Sequence, residues 1–160
     1  MDLLRRNDNT DVTAGYALGE GTDAIIATVR VHAVASAGLM PLLGGKRVAD
    51  SSASAQPLED AITQVRHYYP DADVRDVRAV YLVKRGVLQG GRAATLRYED
   101  LFAGQRQKID LDIYMFCCVD DGRAYEFRIR HAADNNAAWA AIPFLQALDW
   151  SVPSGPDADR

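Results

Sequence analysis

Asp110 and Asp112 stand two residues apart in Lys108–Val119, a stretch with apolar residues at every second position. On a strand that spacing puts both carboxylates on one face, roughly 7 Å apart at Cα. Paired carboxylates at that distance can pass a proton to or from a substrate. They can also hold a hard cation. Tyr114 continues the same face, and His131 closes the following apolar stretch. Asp110, Asp112, Tyr114 and His131 are therefore the set from which a small hydrolase or isomerase would be built. Arg97, Arg128 and Arg130 are expected on neighbouring strands and on that face. Cross-strand ion pairs with them account for the aspartates without a reaction. Ion pairing is the expected role, and no catalytic, cofactor-binding or metal-binding residue is assigned.

Other reactive residue types form weaker patterns. His32, His67 and His131 fall on separate elements, with no partner at metal-ligand spacing. His131 ends a strand whose odd-numbered face is apolar, which places it at the edge of a core. Cys117 and Cys118 are the two cysteines. Neighbours on a regular strand point to opposite faces, so both are expected as free thiols, suited to a reducing compartment. Two cysteines are too few for a structural zinc site. Gly86, Gly90 and Gly91 lack the Gly-Lys-Ser/Thr ending of a phosphate loop, and Gly44-Gly45-Lys46 runs into Arg47. Ser51, Ser52 and Ser54 have no Gly-x-Ser-x-Gly elbow around them. Arg92, Arg97, Arg106, Arg123, Arg128 and Arg130 are expected to cluster on the sheet as a solvated face interleaved with acids; the competing reading is a site for an anionic partner. Tyr68, Tyr69 and Trp150 are expected to pack in the core or at its rim.

The elements that would position these residues follow from periodicity. Tyr16–Leu18 and Thr22–Val34 read as a hairpin, with Ile25, Ala27, Val29, Val31 and Ala33 on one face. The spacing predicts a helix over 57–69, with Leu58, Ala61, Ile62, Val65 and Tyr69 in one stripe. Pro57 suits its first position, and Pro70 stops it. Glu59 and Asp60 are expected near its N-terminal end, Arg66 and His67 near its C-terminal end. Strands follow around Val77–Val83, Arg92–Glu99, Lys108–Val119 and Arg123–His131. Asp120-Asp121-Gly122 is a turn signal. It predicts a register that pairs Val119 with Arg123, Cys117 with Tyr125 and Asp112 with Arg130. A last helix is expected over about 135–148, with Asp134 or Asn135 as cap, Trp139, Ile142, Leu145 and Leu148 as its stripe, and a kink at Pro143. Residues 1–13 are expected to be a flexible N-terminus, 44–56 a loop, 14–150 a single domain and 151–160 a disordered tail. Strand following strand means an antiparallel sheet, so the fold class is α+β. Tyr114, Phe116 and Cys118 make the second face of Lys108–Val119 partly apolar. Helices are therefore expected on both faces, in a three-layer α/β/α sandwich.

The order hairpin-α-β-β-β(-β)-α resembles the PsbP-like superfamily, which includes small bacterial lipoproteins and Eag-type chaperones. The resemblance is carried by Gly91-Arg92-Ala93-Ala94-Thr95-Leu96-Arg97-Tyr98, by Asp121-Gly122-Arg123-Ala124-Tyr125-Glu126-Phe127, and by the last helix with Leu148-Asp149-Trp150. It covers residues 57–150. Its motifs are structural and the superfamily has no shared active site, so no residue role is carried over. It implies a binding or scaffold function.

Composition fits that implication. The chain has 160 residues, the length of one domain, with 48% hydrophobic and 25% charged residues. Its formal charge of -4 is the wrong sign for a nucleic-acid binder. No apolar run approaches the roughly 20 residues of a spanning helix. Met1–Asn7 is not followed by the apolar segment of a secretory signal. The expectation is a cytoplasmic, non-catalytic adaptor or chaperone-like domain with a protein partner or as a homodimer, without cofactor, nucleic acid or membrane. Such a domain should expose an apolar patch of a few hundred Å². The alternatives are the small hydrolase or isomerase using Asp110, Asp112 and His131, and an extracytoplasmic lipoprotein domain lacking its anchor.

Overall fold

Long runs with side-chain period two make strands, and seven of them form one antiparallel sheet in the computed structural model. The structure describes residues 4–7, 12–33, 51–84, 86–119, 123–135 and 138–147. The strands are β1 (Leu4–Asn7), β2 (Val12–Leu18), β3 (Ile25–Ala33), β4 (Asp73–Lys84), β5 (Val87–Phe102), β6 (Gln105–Val119) and β7 (Arg123–Ala132). The helices are α1 (Ala55–Tyr68) and α2 (Ala138–Ala147). In space the strands run β1-β2-β3-β7-β6-β5-β4. Two meanders, β1–β3 and β4–β7, are thus joined edge to edge by the pairing of β3 with β7. Among the described residues β1 and β4 are the outer strands.

Each helix covers one face, giving the expected α+β fold with a flanked antiparallel sheet. Leu58, Ala61, Ile62 and Val65 of α1 pack on Ala94, Leu96, Ile109, Leu111, Ile113 and Met115. Ala141 and Leu145 of α2 pack with Val80, Leu82, Tyr114, Phe116, Phe127 and Ile129 on the opposite face. Burial of both stripes is the main favourable term in holding the layers together. Phe116 and Phe127, both fully buried, meet edge to face at 6.1 Å.

Several expectations are corrected. Leu4–Asn7 and the start of β2 lie in the 1–13 expected to be flexible, yet they pair in the sheet. Ser51–Ser54 is a 3-10 turn and α1 begins at Ala55, ahead of the expected start. Pro57 still falls in the first turn, where its missing N–H leaves no bond unmade. Glu59 and Asp60 move to the second turn, so the first turn carries no acid. The Asn135 side chain donates to the Asp23 carbonyl at 3.2 Å, which ties the turn before α2 to the turn before β3. Positions 44–50 of the expected loop, the 151–160 tail, Trp139 and Leu148 lie outside the residues described in side-chain detail.

The register of β6 and β7 differs most. Val119 faces Arg123 as expected, but a bulge between Cys117 and Val119 shifts the rest by one: Cys117 faces Ala124, Phe116 faces Tyr125 and Asp112 faces Ile129. The shift sends Tyr125, Phe127 and Ile129 to the α2 face, where Tyr114 and Phe116 await cover. Arg128 and Arg130 go to the α1 face instead.

Candidate functional site

On the α2 face, at the end of the sheet away from the bulge, neighbouring strands bring a polar row together. β6 places Asp110 and Asp112 there, both buried. β5 sets Thr95 opposite Asp112 and Arg97 opposite Asp110. β7 sets His131 opposite Asp110 on the other side. β4 adds Asp76 opposite Thr95, and Arg78. The aspartates are on one face, as their spacing requires.

Arg97 clasps Asp110 with two parallel bonds, Nε to Oδ1 at 2.8 Å and Nη2 to Oδ2 at 3.0 Å. Asp110 raises the Arg97 pKa further above its ordinary value, chiefly through these hydrogen bonds. Thr95 donates its hydroxyl to Asp112 Oδ1 at 2.6 Å. His131 Nε2 donates to Asp112 Oδ2 at 3.2 Å, and Nδ1 donates to the Ala132 carbonyl at 2.9 Å. Arg78 Nη2 donates to Tyr114 Oη at 3.3 Å, and Nη1 reaches Thr95 and Asp76 at 3.3 and 3.1 Å. Burial raises the Tyr114 pKa, with the charge of Asp112 adding to it.

Both ring nitrogens of His131 face acceptors, so the imidazolium is the form that fits. Burial alone would lower its pKa; the bonds to Asp112 and to the Ala132 carbonyl, with the charges of Asp112 and Asp110, outweigh this and raise it. An imidazolium with both N–H groups engaged has no lone pair to accept a proton from a substrate. Asp110 is occupied by Arg97, and Asp112 by Thr95 and His131. The four residues proposed as an acid–base set are therefore neighbours, but each is held by a partner within the protein. Only one aspartate is paired to arginine, where both were expected. Thr95, Arg78 and Asp76 were missed in the sequence. Their signal was the same alternation, since Thr95 and Arg97 are two apart on β5 and Asp76 and Arg78 two apart on β4.

The expected arginine cluster divides between faces. Arg97 lies beside Asp110, and Arg106 is 3.9 Å from Glu99. Arg128 and Arg130 lie on the α1 face because of the bulge. Arg128 donates to Gln64 at 2.7 Å and meets Glu126 at 3.2 Å. Arg130 donates to Asp100 and lies over the Phe102 ring. Asp100 also receives the Tyr69 hydroxyl at 2.6 Å. That bond is the main cause of a Tyr69 pKa pushed up to about 12 and of a lowered Asp100 pKa. Tyr69 stacks on Tyr98, as packing at the rim requires, whereas Tyr68 is exposed.

Two small residues also differ from expectation. Cys117 is disulfide-bonded, where a free thiol was expected. That expectation assumed regular alternation, and the bulge breaks it at this point. The thiol argument for a reducing compartment falls with it. Ser54 is fully buried, and its hydroxyl accepts the Cys117 backbone N–H at 2.8 Å. It supports the end of β6, where a residue of a polar loop was expected.

The other notable feature is a surface. β4 is an outer strand, and among the described residues no strand pairs with its free side. Val77, Tyr81 and Val83 stand on its α1 face, beyond the helix, at 42, 57 and 54% exposure. Leu88, opposite Val83 on β5, is 57% exposed. On the other face Val80 and Leu82 are buried beneath α2. The segment from Val77 to Val83 is thus apolar on both faces, with Arg78 its only charge. No known protein family and no curated protein matches this chain.

Proposed function

We propose that this chain is a non-catalytic protein-binding domain of the adaptor or chaperone kind, and that it binds through the free edge of β4. The observation that carries this reading is the row Val77, Tyr81, Val83 and Leu88 beside a strand edge that, among the described residues, no other strand pairs. Sheet edges in natural proteins are normally blunted by charge, proline or cover. This one has a bulge at its start, between Val74 and Asp76, and a single charge, Arg78, along Val77–Val83. An extended segment added there would gain main-chain hydrogen bonds from the edge and apolar contacts from the row. The saturation of Asp110, Asp112 and His131 by internal partners supports the same reading over a hydrolase or isomerase. So does the PsbP-like resemblance, which is a likeness of element order.

Capture from native lysate tests it, with the wild type compared to a Val77→Lys/Tyr81→Lys variant. Both positions are exposed, so the variant should melt within about 1 kcal/mol of wild-type stability. Proteins retained by the wild type and lost by the variant are expected. Identical recoveries from the two would end the reading.

A further inference from the structure

We propose that Arg30 and Arg128 form a site for a phosphate group, free or as a monoester, which takes the place of the Gln64 side-chain oxygen. The site lies across α1 from the β4 edge and is independent of binding there.

Arg30 on β3 and Arg128 on β7 are diagonal neighbours on the α1 face, with Arg30 opposite Glu126 and Arg128 opposite Thr28. The Glu126 carboxylate is buried between them, 3.2 Å from Arg128 Nε and 3.7 Å from Arg30 Nη1. It steadies both guanidiniums from the sheet side. Their N–H groups then converge on one atom, Gln64 Oε1, with Arg128 Nη2 at 2.7 Å and Arg30 Nη1 at 3.4 Å. An amide oxygen is a neutral acceptor. An oxyanion in its place would add charge attraction to both bonds. Asp60, one turn back on α1, does not supply that charge: it accepts from Gln56 at 2.8 Å.

Geometry favours phosphate over carboxylate. One guanidinium fork already satisfies a planar carboxylate, as Arg97 does for Asp110. Two forks from separate strands suit a tetrahedral group whose oxygens can be divided between them. The place is open to such a group. Gln64 is exposed, and the Arg30 and Arg128 side chains are 30 and 20% accessible. Gly15, opposite Thr28 on β2, raises no side chain on the far side.

An NMR titration of the full chain with inorganic phosphate and with O-phosphoserine tests this, against sodium chloride at matched ionic strength. Saturable shifts are expected at the amides of Thr28, Arg30 and Arg128, with a Kd in the millimolar range. Gln64→Ala removes the competing oxygen and should tighten binding. Gln64→Glu fills the site from within and should weaken it by roughly tenfold or more. Arg128→Gln should abolish it, and thermal melts should show that the variants fold. Gln64 is exposed, so its two variants keep the test open whatever becomes of Arg128→Gln. Tighter binding of phosphoserine identifies a monoester as the ligand; tighter binding of phosphate identifies the free ion. Shifts no larger than those from chloride, in both wild type and Gln64→Ala, overturn the proposal. So does a Kd that ignores the Gln64 substitutions.

Discussion

His131 shows how neighbours decide what a side chain can do. An isolated histidine of ordinary pKa titrates near neutrality and can serve as a base. Here both nitrogens donate, and the bonds to Asp112 and Ala132 overcome the effect of burial and raise the pKa above 6.5. The folded protein therefore binds this proton more tightly than the unfolded chain does. The resulting stabilisation is complete below the unfolded pKa and is lost as pH rises through the folded one. An NMR titration of His131 should have its midpoint above 6.5. The stability difference between the wild type and His131→Gln should shrink as pH rises through that midpoint. A midpoint at or below the ordinary value would refute the imidazolium assignment. Most of this cluster was legible before any coordinates. Asp110, Asp112 and Tyr114 share a face because strand period is two, and Arg97 was expected among them. The faces of Arg128 and Arg130 were not legible, since a single bulged residue reverses parity and leaves no mark in the alternation itself.

At the scale of elements, close approach between β5 and β6 depends on Gly91. A methyl group there would stand 2.5 Å from the Met115 carbonyl oxygen and 2.5 Å from the Phe116 ring. Neither can yield easily, since one is backbone and the other is a fully buried ring. Gly91→Ala should therefore cost about 1–3 kcal/mol by overpacking, read as a lower denaturation midpoint at unchanged slope. Stability equal to the wild type would mean that β5 and β6 separate more readily than drawn. The stripe of α1 was legible at Leu58, Ala61, Ile62 and Val65 because a 3.6-residue period has few competitors. Its start was misplaced because Pro57 is tolerated anywhere in a first turn. Ser54 could not be read at all, since its partner lies 63 residues away.

The whole molecule adds strand order, on which the proposed function depends. β5, β6 and β7 are central and covered on both faces, while β1 lies outermost. Opening a central strand disturbs both cores, so its amides should exchange only with global unfolding. Hydrogen exchange is expected to be slowest in β6 and fastest in β1 and β2. Uniform protection across all seven strands would contradict this layering.

The sequence by itself determined the class of fold, the amphipathic faces and the grouping of Asp110, Asp112 and Tyr114, because each follows from the period of a single element. Tertiary structure alone decided that β3 joins β7 and leaves β4 outermost, that His131 meets Asp112, and that the bulge at Cys117 parts the arginines. These outcomes depend on contacts between distant segments, where the relative energies of whole pairings choose the partner and no local pattern records the choice.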